Sequence, residues 1–264
     1  MIITAIIFDL DDTLLAQDDT DERVLLQVAE PIARQYEIAS QRLAQAVWQH
    51  AQRLYYDAPM VAYCDAIGIS ATECLWGAFS GDGAPLKALA QWAATFRSEC
   101  WFRALADAGI NDRALAEELA ARFMQERGVC HIVFPEVEEV LKALQQHYQL
   151  ALLTNGAADL QREKIAGSRL EPYLKTIVIS GEVGIGKPDP QIFRRALAPL
   201  AVQPAQAVMV GDSLFRDISG AQQTGIKAIW INRCGMNEPE AAIIPDAQIT
   251  SLAQLPAVLE GWAS

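Results

Sequence analysis

Five short apolar runs, each leading into polar residues, constrain this chain more than any other feature: TAIIFDLD (4–11), QLALLTNG (149–156), TIVISGE (176–182), AVMVGDS (207–213) and KAIWIN (227–232). Runs this brief and this continuously apolar suit strands buried on both faces. The last four are separated by helical patterns such as ADLQREKIAGSRL and PDPQIFRRALAPL. Strands alternating with helices in this way make a parallel sheet. Residues 12–148 carry no comparable strand signal. They are rich in Ala, Gln, Leu and Glu, and they read as helices near 21–36, 40–56, 60–68, 84–108 and 111–127. A crossover of that length must carry a domain of its own. The expected fold class is α/β, a Rossmann-like parallel sheet core with an inserted all-helical domain. The expected division is 1–16 plus 130–264 for the core and 17–129 for the insertion.

Charge narrows the partners. The 264 residues hold 21 basic and 33 acidic side chains, a formal net charge of -12. Such a surface repels a phosphate backbone, which argues against nucleic-acid polymers and leaves small ligands. No apolar run approaches the roughly 18 residues of a membrane span. The opening MIITAIIFDLDDTLL lacks a basic stretch and meets acids early, which predicts no secretory leader. Cys64, Cys74, Cys100, Cys130 and Cys234 are odd in number and form no C-x-x-C pair, as expected of reduced thiols in a cytoplasm. The histidines stand apart in sequence, so no zinc signature arises. The chain is expected to act as a monomer or homodimer.

In a parallel sheet, ligands bind beyond the carboxyl ends of the strands. The first run delivers Asp9 and Asp11 there, the second Thr154 and Asn155, and the fourth Asp212, with Asp217 in the turn behind it. Lys187 follows the third. Carboxylates crowded into one crevice repel one another unless a cation shares them. Oxygen ligands without sulfur or imidazole suit Mg²⁺, which completes its shell with water and substrate phosphate.

Two motif readings fail on single residues. Gly181, Gly186 and Lys187 start a G-x-x-x-x-G-K nucleotide loop, but Pro188 stands where Ser or Thr is needed. Proline supplies neither the amide nor the hydroxyl that such a loop uses, and it turns Lys187 away from helical geometry. DLDDTLLAQDDT suggests a calcium loop, yet Leu14 and Thr20 replace the required Gly and Glu. Asp12, Asp18, Asp19 and Asp21 then read as exposed turn or helix-start residues. Lys164 reads as a solvated helix position and a weaker rival to Lys187. Trp48, Trp76, Trp92 and Trp101 read as core of the insertion rather than a substrate pocket. Arg97 and Arg103 read as surface partners of Glu99 or Asp107.

DLDDT resembles the D-x-D-x-T motif of the haloacid dehalogenase superfamily, LLTNG its second motif, GKPDP its lysine motif and GDSLFRD its fourth, all in the expected order. A helical insertion directly after the first motif is similar to the cap of subfamily I. Within that group the core motifs resemble the N-acylneuraminate-9-phosphatase-like phosphatases and related nucleotidases.

The resemblance implies roles residue by residue. Asp9 is the expected nucleophile, forming an aspartyl-phosphate that water later cleaves. Asp11, about 6–7 Å further along an extended segment, is the expected acid for the leaving oxygen and then base for the water. Mg²⁺ is expected at Asp9, the Asp11 carbonyl and Asp212, with Asp217 acting directly or through water. Thr154, Asn155 and Lys187 are expected to bind phosphate. A Mg²⁺-dependent phosphomonoesterase acting on a small phosphate ester follows. Haloacid dehalogenases as a family lack the second aspartate, so Asp11 favours phosphate chemistry. A phosphomutase stays open, and a phospho-accepting receiver-like signalling protein is the non-enzymatic alternative. The cap is expected to close over the strand ends and select the substrate.

Overall fold

The computed structural model describes residues 3–235 and 243–263. Among them, six strands form one sheet: β1 (Ala5–Phe8), β2 (Gln149–Thr154), β3 (Thr176–Ile179), β4 (Ala207–Gly211), β5 (Lys227–Ile231) and β6 (Ala247–Ile249). Their order is β3-β2-β1-β4-β5-β6, with every neighbouring pair parallel. The five apolar runs are five of these strands, and β6 is an addition. Register sets Phe8 beside both Leu152 and Val210. From the level of Phe8, β2 runs two residues further to Thr154 and β4 one further to Gly211. Strand order reverses between β1 and β4, the place where such sheets open a crevice.

The helices along the chain are α1 (Gln17–Gln35), α2 (Ser40–Tyr56), α3 (Val61–Ile67), α4 (Ala71–Trp76), α5 (Ala84–Asp107), α6 (Arg113–Gly128), α7 (Val137–Leu144), α8 (Ala158–Ser168), α9 (Ser180–Val183), α10 (Pro190–Leu197), α11 (Gly220–Thr224) and α12 (Leu255–Ala263). By contacts the described residues form two compact units. The sheet unit draws on the described residues of 1–16, 132–156 and 168–264, and the helical unit on Gln17–His131 and Ala157–Gly167. Most of α8, although it links β2 to β3, thus groups with the helices.

In the sheet unit, Ala5, Ile7, Ala151, Leu153 and Met209 pack against Ile192, Phe193 and Ala196 of α10. Ile6, Phe8, Leu150 and Leu152 are buried as well, which is why these strands are apolar without alternation. In the helical unit the core includes Val28, Val47, Phe96, Trp101 and Phe123. Trp101 and Trp76 are buried, and Trp92 stacks on Phe96 at 4.5 Å between ring centroids. Trp48 departs from the core reading at 46% exposure. No described helix is long and apolar enough to cross a membrane.

Three charged residues lie differently from their sequence reading. Asp21 is buried in an ion pair with Arg127, which also sits over the Trp76 ring. Lys164 is buried, reaching Gln17 and, at 2.8 Å, Glu73. Arg97 is buried, donating to the carbonyls of Cys74 and Gly77. Each is matched over a long sequence separation that local pattern does not reveal. Arg103 does pair with Glu99, at 2.8 Å. Glu73 has a second task, closing a capping box with Ser70 at the start of α4.

Candidate active site

Backbone pairing places the first acids. Asp9 N–H donates to the Val210 carbonyl at 2.9 Å, so Asp9 leaves β1 beside the end of β4. Beyond β4, Ser213 opens a π-helical turn, Leu214–Ser219, that carries Asp217 back towards the sheet. Gly211 makes this return possible, because a Cβ there would lie 2.3 Å from the Asp217 carboxyl carbon. Asp9, half-buried Asp212 and Asp217 each offer a carboxylate oxygen, and the three atoms lie within 4.8 Å of one another.

Lys187 enters from the loop after α9. Its Nζ donates to Asp9 Oδ1 at 2.5 Å and to Asp217 Oδ1 at 2.7 Å. The loop is fixed reciprocally: Lys187 N–H donates to Asn155 Oδ1 at 2.8 Å, and Asn155 Nδ2 donates to the Lys187 carbonyl at 3.0 Å. The Lys187–Pro188 peptide is cis. Thr154 and Asn155, at the end of β2, are both buried. Asn155 therefore orients the lysine loop with its side chain. Asp11 stands three residues beyond β1 and forms an isolated bridge with Leu15.

The charges do not cancel. Burial raises the Asp9 carboxyl to about 6, an effect that Lys187 partly opposes and that Asp217 and Asp11 reinforce. Burial raises Asp212 well above the ordinary range, and repulsion from Asp9, Asp217 and Asp12 adds to it. Burial pulls the Lys187 ammonium down, but Asp217 and Asp9 more than reverse this, so Lys187 stays charged. One ammonium thus faces three carboxylates. An oxygen-only set with excess negative charge fits a divalent cation.

Several supporting residues were not singled out from sequence. Ser180 Oγ accepts from Gly156 N–H at 2.9 Å and braces the turn after β2. Ser213 N–H donates to Asp217 Oδ2 at 3.0 Å. The indole N–H of buried Trp230 donates to the Asp212 carbonyl at 2.8 Å. A tryptophan inside an apolar strand carries a donor that needs a partner, and that was its available signal.

The haloacid dehalogenase-like hydrolase model matches residues 3–225. The phosphoserine phosphatase of Thermus thermophilus is 40% identical over 251 residues, covering 95% of this chain and 96% of that one. The N-acylneuraminate-9-phosphatase of Mus musculus is 30% identical, covering 98% and 94%. A 2-haloacid dehalogenase from Pseudomonas syringae is 30% identical with a TM-score of 0.58, covering 99% of this chain and 100% of that one. With Asp9, Asp212, Asp217 and Lys187 gathered beyond the carboxyl ends of the central strands and the family model matching most of the chain, the chain belongs to the haloacid dehalogenase-like hydrolases.

Proposed function

We propose that this hydrolase is a Mg²⁺-dependent phosphomonoesterase that removes phosphate from a small metabolite through an aspartyl-phosphate at Asp9. The supporting observation is the buried cluster in which Lys187 joins Asp9 and Asp217 while Asp212 completes the acidic set. The phosphoserine phosphatase and the N-acylneuraminate-9-phosphatase, both similar over nearly their whole length, favour the same chemistry. A 2-haloacid dehalogenase is also similar in structure, and Asp11 separates the readings, because an alkoxide leaving group needs a proton and a halide does not.

Asp9, Asp212 and the Asp11 carbonyl would hold the cation, which supplies charge neutralisation for an anionic nucleophile approaching an anionic phosphate. Both Asp217 oxygens are engaged, one by Lys187 and one by Ser213 N–H. That supports Asp217 acting behind the inner ligands. A carboxyl near 6 leaves Asp9 charged at neutral pH. Its oxygen forms a bond to phosphorus as the bond from phosphorus to the ester oxygen breaks, and Asp11 delivers a proton to that oxygen. Asp11, now a carboxylate, takes a proton from the water that attacks phosphorus, releasing inorganic phosphate and free Asp9. Lys187 offsets charge on the phosphoryl oxygens, and Thr154 and the Asn155 main chain bind them. The residues 17–129 act as a cap that selects the substrate, with 1–16 and 130–264 as catalytic core. Free cysteines throughout support a cytoplasmic setting.

A screen of phosphoserine, N-acylneuraminate 9-phosphate, sugar phosphates, nucleoside monophosphates, phosphoglycolate and FMN tests this reading. Sustained, Mg²⁺-dependent phosphate release from at least one is expected. At most one phosphate per chain, or halide release from 2-haloacids instead, would overturn it.

A further inference from the structure

Immediately after Asp11 the chain makes a tight turn. Asp12 takes a left-handed φ of 54°, and its N–H donates to the Leu15 carbonyl at 2.7 Å. Leu14 and Leu15 N–H both return to the Leu10 carbonyl, at 2.8 and 2.9 Å. A non-glycine residue in this region persists only where its surroundings over-determine it.

Two anchors from elsewhere in the sheet unit do so. Phe134 N–H donates to the Leu14 carbonyl at 3.1 Å. Arg233, just beyond β5, donates from Nη2 to the Thr13 carbonyl at 2.7 Å. Thr13 is fully buried, so water has no access with which to replace that donor. The same guanidinium lies 3.5 Å from the Phe134 ring centroid and donates from Nη1 to Glu136 Oε1 at 2.8 Å. Glu136 Oε1 also accepts from Ser251 Oγ at 3.0 Å and Leu252 N–H at 3.2 Å. The planar fork of Arg233 therefore ties the turn to two other segments at once, a geometry that a point charge reproduces only in part.

We propose that Arg233 is a positioning residue for phosphoryl transfer: braced by Glu136 and Phe134, it holds the 10–15 turn so that Asp11 is aimed at the leaving oxygen. This rests on the general-acid reading of Asp11. A misplacement near 1 Å costs about a hundredfold in rate, and the cost falls where a proton is needed.

The test uses the Mg²⁺-loaded full chain and two substrates: p-nitrophenyl phosphate, whose leaving group departs without a proton, and an alkyl phosphate ester that the enzyme accepts. Arg233→Ala is expected to lower kcat/KM for the alkyl ester about 10–100-fold and for p-nitrophenyl phosphate by less than about threefold. Arg233→Lys, which restores one donor, should recover part of the alkyl-ester loss. Should Arg233→Ala fail to fold, Glu136→Gln removes the brace more gently and should show the same selectivity at smaller amplitude. Equal losses on both substrates, or no loss on the alkyl ester, would overturn the proposal. Asp11→Asn is the control. If it too lacks selectivity, the general-acid reading falls; if it alone is selective, only the positioning role of Arg233 falls.

Discussion

Each unit buries a lysine against carboxylates, and the two clusters differ in their sums. In the helical unit Asp21 and Glu73 face Arg127 and Lys164, two charges against two, with the Trp76 ring against both cations. In the sheet unit, among the described residues, one ammonium, Lys187, pairs with Asp9 and Asp217, and Asp212 completes a set of three carboxylates. A balanced buried set satisfies itself, and its worth is structural. An unbalanced one keeps perturbed carboxyls and calls for a cation, the condition under which burial serves chemistry. Depth of burial does not distinguish the two lysines, since both are almost wholly enclosed. Charge balance does.

Exchanging the two lysines in turn breaks this comparison most sharply. Lys187→Ala should lower kcat/KM by about a thousandfold or more, because a charge aimed at the transferring phosphoryl group is lost. Lys164→Met should instead destabilise the protein by about 3–5 kcal/mol, as Glu73 is left charged and unpaired. Adding Glu73→Gln should recover much of that stability while keeping the cap of α4. Steady-state kinetics well below the unfolding temperature, together with denaturant titration, separate the two effects. Equal kinetic losses at both lysines would dissolve the distinction.

A smaller effect concerns pH. Asp9 is raised by burial to about 6 from 3.8, and Asp212 is raised as well. For a raised carboxyl the folded state binds more protons than the unfolded state between those values. The metal-free protein therefore loses stability as pH rises through that window. A cation must displace those protons, so Mg²⁺ should raise Tm more at pH 8 than at pH 5, by about 2–4 °C for each 1 kcal/mol of difference. A Tm shift independent of pH would mean that the acidic set does not hold the ion.

What was legible in the sequence was whatever strand ends and spacing carry. Asp9 and Asp212 follow apolar runs, and those runs are β1 and β4. β6 escaped notice because Ala247–Ile249 is three residues long with an exposed Gln248 at its centre, too short for a period to show. α4 escaped for the same reason at six residues. Asp21 and Lys164 were misread because their partners lie far along the chain, 106 residues away for Arg127 and 91 for Glu73. The Asn155 side chain serving the Lys187 backbone spans 32 residues, and composition carries no trace of such a pairing.

The central claim, that the unbalanced cluster exists so that Asp9 can take up a phosphoryl group, is tested most directly by acid-quenched single-turnover reaction with a phosphorus-labelled ester, followed by peptide mapping. Stoichiometric label on the peptide containing Asp9, absent in Asp9→Asn, is expected. Turnover with no protein-bound label, or label that survives in Asp9→Asn, would contradict the account.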